Sequence, residues 1–211
     1  MKYINTRVIT FIIILAIQFS TAAAEPLKQD NVHIRTWNQF ANNILKLHKS
    51  LIADKPVRIT SKPGGYAGRK EFYIEKQFFL GNNLISIIQW EKQNPENMHA
   101  IELFIYDDKN RVIRDFTAAY LPDYRNAPIQ TLISLHQYRN GLHAFRSFDA
   151  SGYRVIERCS GSQKGEQIDL MLDEDEIAEA IGDDSGVMTT ENYRSCFNGL
   201  PEEAGEYLTP Q

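Results

Sequence analysis

The chain has 211 residues, 43% of them hydrophobic and 24% charged, with a formal net charge of −4. That balance suits one globular core of moderate size. It excludes a collagen-like rod, a disordered tail protein and a multi-span membrane protein, and the net charge argues against a nucleic-acid partner.

Lys2 and Arg7 precede an apolar run from Val8 to Phe19, and Ala22-Ala23-Ala24 then leads into Glu25-Pro26. A basic start, a short apolar stretch and an Ala-x-Ala site read as a signal peptide over residues 1–24, cleaved before Glu25. The run is short for a bilayer span. The mature chain, 25–211, is therefore expected to be periplasmic or secreted, with no stable membrane span after cleavage. In that compartment Cys159 and Cys196 are expected to pair. Loop closure by such a bridge contributes roughly 3–4 kcal/mol.

Thr36 followed by Gln39 forms a capping-box pattern. Trp37, Phe40, Ala41, Ile44, His48 and Leu51 then recur at helical spacing, which predicts an amphipathic helix over about 37–53. Residues 62–68, with Pro63, Gly64, Gly65 and Gly68, read as a flexible loop that lacks the Lys-Ser/Thr of a phosphate loop.

From Glu71 to about Cys159, β-branched and aromatic residues alternate with turn clusters. No strand–helix–strand alternation interrupts them, so an antiparallel meander of about six strands is expected, covered on one face by the helix. Asn140-Gly141 is the strongest hairpin signal. Two turns echo each other. Tyr106-Asp107 enters one turn and Arg111-Val112-Ile113 leaves it, while Phe148-Asp149 enters the other and Arg154-Val155-Ile156 leaves it. Over these residues the chain resembles the hairpin of YD-type repeats, and the resemblance implies a β-meander without any activity. Residues 122–128, with two prolines, read as an ordered surface loop.

Residues 161–211 hold thirteen acids against two cations, Lys164 and Arg194. Short helices are expected from Asp173 and from Thr190 to about Phe197. The fold class is thus α+β: helix and meander over 36–160, then an acidic helical C-terminal segment over 161–211, strapped by the disulfide onto a basic sheet.

A two-residue turn at Asn140-Gly141 pairs Tyr138 with His143 and His136 with Phe145. All four then share one face, with the imidazoles as diagonal neighbours. They form the candidate ligand face. Two imidazoles alone do not complete a metal site, so no metal and no cofactor is expected. Arg139, Arg146, Arg154 and Arg158 cluster along the same hairpins and are expected to pair with local acids. The acids from Asp173 to Asp184 fail the spacing of a calcium loop, and no nucleophile-elbow, zinc-protease or dinucleotide motif occurs. The leading expectation is a non-catalytic binding or accessory module that uses a sheet face, or the 122–128 loop, to hold a protein or small-molecule partner. The alternative is an exported hydrolase with its site near His136 and His143.

Overall fold

In a computed structural model of the chain, residues 31–211 are described, apart from Ala67, Asp123 and Asp184. The expected signal peptide lies outside the described residues. A helix, α1 (Asn31–Ile52), is followed by nine strands: β1 (Val57–Tyr66), β2 (Arg69–Leu80), β3 (Asn83–Glu91), β4 (Met98–Tyr106), β5 (Val112–Ala119), β6 (Gln130–Arg139), β7 (Leu142–Phe148), β8 (Arg154–Gln163) and β9 (Glu166–Asp173). Two short helices, α2 (Glu174–Ala180) and α3 (Glu191–Phe197), and single helical turns at Val187–Thr189 and Gly205–Leu208 complete the chain. The strands form one antiparallel sheet in sequence order, β1 to β9.

Nine strands replace the expected six: the stretch read as six holds seven, β2 to β8, and β1 and β9 add one at each edge. β1 runs through Pro63, Gly64 and Gly65, which read as a loop. Proline cannot donate to a ladder, but an edge strand has a side that needs no donor. Gly64 is needed there because a Cβ would land on the ring of Tyr73. At the other edge, the meander continues past residue 160 through β8 and β9, joined at Lys164-Gly165, both with positive φ. The acids hid this strand. Ile168 and Leu172 point inward while Gln167, Asp169, Met171 and Asp173 point to solvent, a period-two pattern inside an acidic composition. The boundary at 160/161 is therefore not a boundary in the fold.

Helix α1 begins by Asn31, so Thr36 and Gln39 lie within it and cap nothing. Thr190 does cap α3, accepting from the Tyr193 amide, and Asp173 with Glu176 makes a reciprocal capping box on α2. The repeated turns match in detail. Asp107 Oδ1 accepts from the amides of Lys109 and Arg111, and Asp149 Oδ1 from those of Ser151 and Tyr153. Asn110 and Gly152 take the positive φ each turn requires.

Paired residues share a face, so the registers separate two faces. One carries Ile88, Ile101, Leu103, Phe116, Ala118, Ile133, Leu135, Ala144, Phe148, Cys159, Ile168 and Leu172. Phe40, Ala41 and Ile44 of α1 close over its middle, and Ile177, Tyr193, Phe197 and Leu200 over its end. Cys159 and Cys196 are bonded, with Cα atoms 5.8 Å apart. The other face has no helix over it among the described residues.

The C-terminal segment is held differently from the charge pairing expected of it. On the covered face Arg146 is buried, donating to Glu157 Oε1, to the carbonyls of Leu200 (3.2 Å) and Pro201 (2.7 Å), and to the Tyr193 hydroxyl (3.2 Å). Tyr193 donates in turn to Glu157 Oε2 at 2.7 Å. Arg154 reaches the Glu202 carbonyl at 2.8 Å. These arginines grip the segment by its backbone rather than its carboxylates, which stay in water.

The 122–128 segment is also anchored. Arg125 donates to Glu91 and to the Met98 carbonyl, both at 2.8 Å, and Asn38 of α1 reaches the Asn126 carbonyl at 2.5 Å. Ala127 and Pro128 are buried. The segment is an ordered surface loop packed on its neighbours, as expected.

Candidate functional site

The turn at Asn140-Gly141 has the predicted geometry: φ is 53° at Asn140 and 81° at Gly141, as a two-residue turn with both residues left-handed needs. A Cβ on Gly141 would stand 2.5 Å from the Ser162 carbonyl of the neighbouring strand, so only glycine fits. The register follows: Tyr138 faces His143, and His136 faces Phe145. All four predicted residues do meet on the helix-free face.

There the imidazoles are bonded, not merely adjacent. His136 Nδ1 and His143 Nε2 are 2.9 Å apart, and His136 Nε2 lies 2.6 Å from Asp115 Oδ2. A carboxylate, an imidazole and a second imidazole thus form one hydrogen-bonded chain. An ionised Asp115 accepts from His136 Nε2, which leaves Nδ1 to accept from His143 Nε2 when both rings are neutral. His143 Nδ1 is then a lone pair at the open end. Tyr138 stacks on His143 with centroids 4.4 Å apart and planes within 4°. Arg111, tied to Asp107, lies 4.6 Å over the other side of the Tyr138 ring. Burial, then the neighbouring His136, lowers the pKa of His143.

Asp115 was not singled out in the sequence, and neither was Glu102. Both lie on the helix-free face: Asp115 is paired with Phe104 and Ser134, and Glu102 with Ile87 and Thr117. Burial, Asp115 and Glu75 all raise the Glu102 carboxyl above the ordinary range. Glu75 behaves oppositely. Burial pushes it up, but the amides of Gln77 (2.8 Å) and Gln89 (3.2 Å) and the Lys62 ammonium (3.1 Å) outweigh that and lower it. The signal that could have found both acids is the alternation of β4 and β5, where Ile101, Leu103, Phe116 and Ala118 face the core and Glu102, Asp115 and Thr117 do not.

Half-buried aromatic rings, Phe104, Phe145 and Tyr138, interleave with these groups. The face thus offers acceptors, imidazoles and ring surfaces, with Lys62 already paired. It carries both signs of charge, with Glu102 and Asp115 on its inner strands and the exposed Arg158 opposite Phe145. No group of three or more His, Cys, Asp or Glu side chains is arranged to hold a metal ion among the described residues. The expected arginine–acid pairing is met at Arg146 and Arg154, which both reach Glu157 on the opposite face.

No family model matches the chain, and none of the curated proteins matches it. It is similar to a solved DUF3836 family protein from Bacteroides vulgatus at 11% identity, over 56% of this chain and 98% of that one, with a TM-score of 0.27.

Proposed function

We propose that the mature chain is an exported, non-catalytic binding module whose helix-free sheet face holds a polyhydroxylated ligand such as a glycan. The observation that carries this is the Asp115–His136–His143 chain, preorganised on a face that no described helix covers and flanked by Phe104, Phe145 and Tyr138. Planar carboxylate and imidazole groups match paired hydroxyls, and aromatic rings match the apolar side of a sugar. Export is supported by the basic–apolar–small start of the sequence and by a disulfide suited to an oxidising compartment. Amino-terminal sequencing of the protein recovered from its own cells should read Glu25-Pro26. A chain beginning at Met1 contradicts export.

Binding is tested on a glycan array with the wild type and with His143→Phe and Glu102→Gln. Both variants should lose the signal. The second reading, a hydrolase, has one observation in its favour: a carboxylate-oriented histidine chain is how a general base is positioned. Release of reducing ends from the bound glycan, abolished by Asp115→Asn, would establish that reading instead.

A further inference from the structure

Two arginines stand on one cross-strand row of the covered face, because Arg114 pairs with Leu135 and Leu135 with Arg146. Arg146 is saturated by Glu157, Tyr193 and two carbonyls. Arg114 has none of this. It lies 4.3 Å from the centroid of the Tyr207 ring, and its Nε is buried without a hydrogen-bond partner. Among the described residues no carboxylate pairs with it.

Only the Nε edge of this half-buried residue is closed to water, and the rest of its planar fork, left without an anion, matches a carboxylate in two-point contact. Beside it is a cavity of about 270 Å³, bounded among others by Arg114, Leu135, His136, Gln137, Leu200, Pro201 and Tyr207. The walls are rigid. Arg146 holds the carbonyls of Leu200 and Pro201, and the Gln137 amide donates to the Cys196 carbonyl at 3.2 Å. The disulfide at Cys196 ties that same segment to β8. A charged fork beside Leu135, Leu200, Pro201 and Tyr207 is the complement of a small molecule with one carboxylate and a short apolar body.

We propose that this cavity, which Arg114 enters from the covered face and His136 also borders, is a second binding site that takes a monocarboxylate on Arg114. The carboxylate belongs either to a short fatty acid or to the C-terminus of an apolar peptide, and the test separates these. Hexanoate and N-acetyl-leucine are titrated into the oxidised mature protein, with hexylamine as the control of opposite charge. The Arg114 Nε–H resonance and the amides of residues 199–201 are followed by NMR. At least one acid should shift them saturably, the tighter naming the source, and hexylamine should not. Arg114→Met should weaken the acid about 10- to 100-fold, the weight of a charged hydrogen bond. If that variant does not fold, the Nε–H shift in the wild type decides alone. No shift with either acid, a shift equalled by hexylamine, or unchanged affinity in Arg114→Met overturns the proposal. The glycan signal of the opposite face should survive Arg114→Met, so failure here and failure there are distinguishable.

Discussion

The two faces of the sheet use polar residues in opposite ways. On the covered face Arg146, Glu157 and Tyr193 are buried, and each bonds to the others or to backbone. On the helix-free face Asp115, His136 and His143 form a chain that ends in an open nitrogen, and Glu102 stands beside it with a raised pKa. A closed network resists any change because removing one member strands another in low dielectric. An open chain tolerates change and retains capacity for a ligand. Burial class alone does not separate these roles; what is left unbonded does.

The largest effect should come from opening the closed network. Glu157→Ala leaves Arg146 buried without its carboxylate and should cost about 3–5 kcal/mol. Asp115→Asn keeps an oxygen that can accept from His136, in a pair with side chains 10% and 20% exposed, and should cost less, about 1–2 kcal/mol. Urea unfolding of the two variants measures both, and similar costs would erase the contrast between faces.

Next is the bridge. Cys196→Ser should lose roughly 3–4 kcal/mol by the loop-closure argument. Tyr193, Phe197 and Leu200 are buried in the same core as the strands. The variant should therefore still unfold in one cooperative step, and limited proteolysis should attack strands and C-terminal segment together. Cuts confined beyond Cys159 would show instead that the segment is an appendage.

A smaller effect is acid sensitivity. His48 is buried on Ser86, with Nδ1 2.8 Å from the hydroxyl, and burial, then Lys49, lowers its pKa from 6.5 to about 4. Burial lowers His99 and His143 as well. The unfolded chain takes up these protons first, so stability holds above about pH 6.5 and falls as the pH drops toward 4. The His48 share is about 2–3 kcal/mol. His48→Gln should flatten that slope in urea midpoints taken across the range, and an unchanged slope would remove His48 as its source.

The hairpin at the centre of the site was legible because Asn140-Gly141 sets register by itself, and register sets facing. Cys159 and Cys196 were legible from compartment and count. Asp115 was not, because β5 reaches β6 through the 120–129 segment, whose length dictates no register. Edge strand β1 was masked by Pro63 and two glycines, and β9 by acids on its solvent side. In each case a local composition signal outweighed a period-two pattern that only the neighbouring strand makes visible.

The central claim is that the open histidine chain of the helix-free face holds the glycan while the closed Arg146–Glu157–Tyr193 network supports the fold. It is tested most directly by measuring affinity for an array-selected glycan and unfolding free energy together in wild type and His143→Phe. The account predicts at least a tenfold loss of affinity with stability changed by about 1 kcal/mol or less. Retained affinity, or a loss of affinity that follows from a large loss of stability, would contradict it.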